Sequence, residues 1–103
     1  MDQFHFRGFT PDEKTEAKAG RVYQAILDAS PEDAKLSAVL EWDGERYHCS
    51  VEVGSKVWPA AASVAHRFPG IALDRAEIAL QKKLAKWHGF FNIRTPPSKP
   101  LSV

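Results

Sequence analysis

The chain predicts an α+β fold: a single β-α-β-β-β-α domain in which a four-stranded mixed sheet carries two helices on one face. Two long stretches repeat apolar residues at three- and four-residue steps, as helices with one buried side do. Shorter stretches alternate apolar and polar residues at period two, the pattern of strands with one face covered. The link between the first and second strands is long and helical, so that pair forms a right-handed parallel crossover, whereas the later links suit antiparallel hairpins. The expected strand order is one-two-three-four.

In residues 3–7, Phe4 and Phe6 alternate with His5 and Arg7, and Gly8 ends the strand. Thr10 reads as a helix N-cap, with Pro11 at the first helical position and Glu13 three residues after the cap. This helix runs to about Ala29, with Ala19, Val22, Tyr23 and Ile26 as its apolar face and Lys14, Lys18 and Arg21 as a basic row on another side. Gly20 inside it marks either close packing on the sheet or simple tolerance, since glycine costs about 1 kcal/mol relative to alanine there.

Ser30-Pro31 breaks the helix, and from Leu36 the period becomes two. Leu36, Ala38, Leu40 and Trp42 share the expected core face, Asp43-Gly44 suits a two-residue hairpin turn, and Tyr47, Cys49, Val51 and Val53 continue that face on the returning strand. Gly54-Ser55 reads as a second tight turn into a strand over residues 56–65, with Trp58, Ala60 and Ala62 on one face. Pro59 lacks the N–H a ladder needs, which places this strand at the sheet edge.

The second helix is predicted over residues 71–88, with Leu73, Ala76, Leu80, Leu84 and Trp87 as its buried stripe. At about 100° per residue, Arg75, Lys82 and Lys86 fall nearly opposite that stripe, with Lys83 between. Pro69-Gly70 stops what precedes, Asp74 suits a first turn, and Gly89 suits the stop. The run Phe90, Phe91, Ile93 either packs back on the domain or meets a partner. The expected division is a domain over residues 1–93 and a flexible proline-rich tail over residues 94–103.

Several function classes are disfavoured. With 14 Lys and Arg against 13 Asp and Glu, no global basic bias announces a nucleic-acid partner, so any such binding must rest on local segregation of charge. Cys49 is the single cysteine, which excludes an internal disulfide and fits a reducing compartment; on the apolar alternation it reads as a small hydrophobe, not a nucleophile. His5, His48, His66 and His88 lack metal-ligand spacing, and no glycine-rich phosphate loop follows a strand. No apolar run suits a signal segment or a membrane span. The expectation is a cytoplasmic protein that is not an enzyme, with no cofactor and no metal.

The opening strand ending in Arg7-Gly8, the Thr15-Glu16-Ala17 segment, the two hairpins, and Ala72-Leu73-Asp74 through Leu80, Leu84 and Lys86 together resemble the ribosome hibernation-promoting factors, also called ribosome-associated inhibitors. The resemblance covers residues 4–88 and rests on the combined order of motifs. It implies a sheet with two helices on one face, related in shape to double-stranded RNA-binding domains. It also implies contacts from the helices' basic residues to ribosomal RNA of the small subunit, in the decoding region, which inhibit translation and promote hibernation under stress. Lys82 and Lys86 match basic positions of that family's last helix. The chain departs from the pattern at Ala79, Gln24 and Ala25, where the family is basic, while Lys14, Lys18, Arg21, Arg75 and Lys83 are basic here.

The candidate RNA-binding residues are therefore Lys14, Lys18, Arg21, Arg75, Lys82, Lys83 and Lys86, on two helices whose basic rows can merge if they lie side by side. Lys and Arg contacts to phosphate release counterions without reading sequence, which suits recognition of a folded RNA by shape. Single-strand stacking is not expected, because Trp42, Tyr47 and Trp58 sit on core positions. The alternative is a protein-interaction module, motivated by the near-neutral charge, Ile78 outside the apolar stripe, and the Phe90-Phe91-Ile93 run.

Overall fold

The structure, a computed structural model, describes residues 4–94, with side chains through residue 89. Its elements are β1 (His5–Arg7), α1 (Glu13–Ala29), β2 (Lys35–Trp42), β3 (Tyr47–Gly54), β4 (Ala60–His66) and α2 (Pro69–Arg94). The sheet order is β1-β2-β3-β4. β1 runs parallel to β2, with Phe6 opposite Leu40, and the other pairs are antiparallel, with Leu40 opposite Cys49 and Cys49 opposite Val64.

That register aligns the period-two residues of neighbouring strands on one face. Phe4, Ala38, Leu40, Cys49, Val51 and Val53 from the sheet share a single core with Ala19, Val22, Tyr23 and Ile26 of α1 and with Ala72, Leu73, Ala76, Leu80 and Leu84 of α2. Both helices thus cover the same face. The opposite face of the sheet carries Ser37, Val39, Ser50, Glu52, Ala61 and Ser63 around a shallow depression.

Local chemistry moves several boundaries from the sequence expectation. The N-cap of α1 is Asp12, not Thr10: its side chain accepts from the Thr15 backbone N–H at 2.8 Å, and the helix starts at Glu13. A carboxylate caps well and also meets the positive end of the helix dipole. Trp42 pairs with Tyr47, and the Asp43 N–H donates to the Arg46 carbonyl at 3.1 Å, so the central residues of the first hairpin are Gly44-Glu45, one position later than Asp43-Gly44. Gly44 takes φ 98° there, while the Asp43 carboxylate accepts from the N–H groups of Glu45 and Arg46, both at 2.8 Å.

The second link is a loop rather than a tight turn at Gly54-Ser55. Asp33 organises it by accepting from Ser55 Oγ at 2.7 Å and from the Lys56 N–H at 2.8 Å. β4 consequently begins at Ala60, after Pro59, and Trp58 lies in the loop with its ring against the core. β4 is an edge strand, as Pro59 suggested.

Pro69 does not merely stop the preceding strand; it opens α2, where its missing N–H has no helical partner to lose. The Phe68 carbonyl receives the first helical bond, from the Ala72 N–H at 3.1 Å. Gly89 does not end the helix, which continues to Arg94. No proline follows until Pro96, and each further residue adds a backbone hydrogen bond that offsets one glycine's deficit. Residues 90–94 are thus helical in backbone, where the sequence predicts a helix end near Gly89 and a tail from residue 94; the remainder of that expected tail, residues 95–103, lies outside the described residues. Gly20 has open space around it, which decides for tolerance over close packing.

Candidate RNA-binding face of the helical layer

α2 is positioned from its inner side. Ala72, Leu73, Ala76, Leu80 and Leu84 are buried at helical spacing over the sheet, which fixes the rotation of the helix about its axis. Arg75, Lys82 and Lys86 are then carried to the outside, where all three are exposed. With Ile78, Ala79 and Lys83 they line one shallow groove on the outer face of α2. None of Arg75, Lys82 and Lys86 makes an ion pair or hydrogen bond among the described residues.

The seam between the helices is polar and specific. Lys18 Nζ of α1 meets Asp74 Oδ2 of α2 at 2.8 Å, Gln81 Nε2 donates to the Ala25 carbonyl at 3.3 Å, and the His88 ring lies 3.1 Å from the Ala29 carbonyl. Residues 74, 81 and 88 recur at seven-residue steps, so this row stays on the α1 side of α2. The Arg75, Lys82, Lys86 row lies about 120° further round the same helix. The helices do lie side by side, yet the basic rows remain separated by the seam.

Among the other sequence-predicted residues, Lys14 and Arg21 are exposed on α1, and Lys14 sits close enough to Asp12 to help hold that carboxylate below its usual range, after the hydrogen bonds from Thr15. Lys18 is half-buried and committed to Asp74. Lys83 turns towards the sheet edge. Its Nζ bonds the Ala61 carbonyl of β4, and its own carbonyl accepts from Trp58 Nε1 at 3.2 Å. A lysine held at both ends in this way fastens α2 to β4.

The contacts that sequence reasoning missed are those made across the fold. Asp74 reads from sequence as a first-turn acid, and its partner Lys18 is 56 residues away. Nothing in the local pattern of either residue signals the pairing. Trp42 and Tyr47 are half-buried instead of fully inside, with ring centroids 4.5 Å apart, because they lie where the β2–β3 hairpin begins, at the end of the core face.

The electrostatics elsewhere suit scaffold roles. Cys49 is buried, and burial pushes its thiol up to about 12, so thiolate chemistry is suppressed near neutral pH. Asp43 is held down at about 2, chiefly by the Arg46 N–H, then by His48, whose Nε2 lies 2.5 Å from its carboxylate, and by the Glu45 N–H. Among the described residues no cluster of His, Cys, Asp and Glu is arranged to hold a metal ion. Among them, too, no helix is long and apolar enough to cross a membrane.

No protein-family profile matches the sequence, and no curated protein matches it. Solved structures do match in shape. The N-terminal domain of Protein Y from Thermus thermophilus superposes with a TM-score of 0.67 at 12% identity, covering 82% of this chain and 93% of that one. A ribosomal subunit interface protein from Coxiella burnetii superposes with a TM-score of 0.66 at 10% identity, covering 84% of this chain and 96% of its own. At these identities the likeness is one of fold: the chain shares the β-α-β-β-β-α architecture of Protein Y and the ribosomal subunit interface protein.

Proposed function

We propose that the chain associates with the ribosome by binding RNA of the small subunit through its helical layer, and that it inhibits translation and promotes ribosome hibernation under stress. The observation that carries this reading is the row Arg75, Lys82 and Lys86, exposed on the outer face of α2 and without partners among the described residues. It is supported by the fold shared with a protein whose name places it at the ribosomal subunit interface. Unpaired cations at spacings of seven and four residues along a rigid helix can follow a phosphate backbone, and each phosphate contact releases counterions. Lys14 and Arg21 supply a second, separate row on α1. Lys18 and Lys83 contribute less, because Asp74 and β4 already hold them.

The test is co-sedimentation with small ribosomal subunits across a salt series, with translation in a cell-free extract as the second readout. Wild type is expected to pellet at low salt and to be released steeply towards physiological salt. The variant Lys82→Ala/Lys86→Ala is expected to bind more weakly, with the salt slope reduced by about one unit per lost contact. Failure of wild type to pellet removes the ribosome from the account, and equal slopes remove these lysines from the site.

A further inference from the structure

The outer face of α2 holds more than charge. The exposed large hydrophobic side chains of the described residues are Val57, Phe68, Ile71 and Ile78, at 59%, 57%, 38% and 55% exposure. Ile71 and Ile78 fall on one line of α2, whereas Phe68 precedes the helix and lies beside the His66 ring and the Arg67 guanidinium. Ile71, Arg75, Ile78 and Lys82 follow each other at steps of four, three and four residues. On the helix they occupy an arc of about 60° opposite Leu73, Leu80 and Leu84. α2 therefore has two stripes: one filled by the sheet, and one at the spacing of a helix–helix seam that nothing covers among the described residues.

We infer that this outer stripe is a docking surface for an acidic amphipathic helix of a partner protein. Phosphate offers nothing to Ile71 and Ile78, whereas a helix carrying apolar side chains at the same steps covers them and removes apolar area from water. Arg75 and Lys82 interrupt the apolar line, and Lys86 extends its basic flank, so the matching helix needs carboxylates against those positions. The same charges argue against a second copy of this chain. Parallel pairing sets Arg75 against Arg75, and antiparallel pairing about Ile78 sets Arg75 against Lys82. The chain's own last residues do not fit either, since positions 95–103 contain Lys99 and no acid. From residue 71 to residue 86 the stripe is about 22 Å long, enough for a partner helix of about four turns.

The probe is a synthetic helical peptide of about four turns with leucine at three- and four-residue steps and glutamate on the flanks, titrated into the labelled full chain and followed by amide chemical shifts. The expected result is saturable binding, with shifts centred on Ile71, Ile78 and Lys82. Ile78→Asp is expected to weaken binding at least tenfold without changing the melting temperature, and Val57→Asp to leave it unchanged. A control peptide with the leucines replaced by glutamine, at the same charge, is expected to bind at least tenfold more weakly. Equal binding of that control, shifts centred away from α2, or indifference to Ile78→Asp overturns the proposal. So does dimerisation of the free chain that Ile78→Asp abolishes, or Ile78-dependent binding to vesicles containing phosphatidylglycerol without binding to the peptide. No ribosome enters this experiment, so it is read separately from the RNA reading, although RNA and the partner helix would share Arg75, Lys82 and Lys86 and therefore exclude one another.

Discussion

The two helices carry basic rows of similar composition, yet the fold treats the rows differently. On α1, Lys14 and Arg21 reach solvent while Lys18 between them turns into the seam and pairs with Asp74. On α2, Arg75, Lys82 and Lys86 all reach solvent and none is paired within the described residues. The cause lies under the helices. Leu73, Leu80 and Leu84 hold α2 by long side chains on the side away from Arg75, Lys82 and Lys86, whereas Lys18 of α1 is only one helical step from the line of Val22 and Ile26. A helical wheel orients a side chain about its own axis; the neighbouring helix decides whether the charge is used inside the protein.

The comparison makes its largest prediction in the core. Leu80→Ala or Leu84→Ala is expected to destabilise the domain by about 2–5 kcal/mol, against about 2 kcal/mol for Val22→Ala on α1, measured by urea unfolding. Equal losses would show that the two helices are anchored alike. Next comes the corner that delivers the chain from β1 to α1. Gly8 has φ 79°, and a Cβ there collides with the Trp42 carbonyl oxygen. Gly8→Ala is expected to lower stability by more than the roughly 1–2 kcal/mol of the left-handed conformation alone.

Much of this architecture is legible in the sequence, and the largest failures share one cause, while small boundary shifts have local ones. The strand alternation around Leu40 and Cys49, the parallel crossover and the side-by-side helices follow from period and connection length. So do the exposed positions of Arg75, Lys82 and Lys86. What was not legible depends on residues far apart in the chain. Asp33 reaches across to Ser55 and Lys56 and turns an expected tight turn into a clamped loop. Lys83 reaches β4, and Asp74 takes Lys18 out of the basic row. Capping chemistry was misplaced by only two residues, from Thr10 to Asp12, because both side chains are able caps and only the backbone bond to Thr15 decides between them.

Smaller effects sharpen the contrast between rows. Lys18→Ala, which breaks a half-exposed ion pair, is expected to reduce stability by up to about 1 kcal/mol, whereas Lys82→Ala should stay within about 0.5 kcal/mol. Thermal melts of the two variants side by side check this, and a larger loss from Lys82→Ala would contradict the assignment of that residue to solvent. The smallest effect concerns the hairpin. Asp43 has its folded-state pKa lowered from 3.8 to about 2, so its contribution is complete above pH 3.8 and is lost as pH falls towards 2. The amide shifts of Glu45 and Arg46 are expected to titrate with a midpoint near 2 in wild type and to lose that transition in Asp43→Asn.

The proposed RNA site is the free row on α2, more than the row on α1. The most direct measurement compares the salt dependence of small-subunit binding for Lys82→Ala/Lys86→Ala with that for Lys14→Ala/Arg21→Ala. Both double variants remove the same charge, so any difference reports position. The account predicts that the α2 variant loses affinity and about two units of salt slope, while the α1 variant loses distinctly less. Equal losses, or a larger loss from the α1 variant, would contradict it.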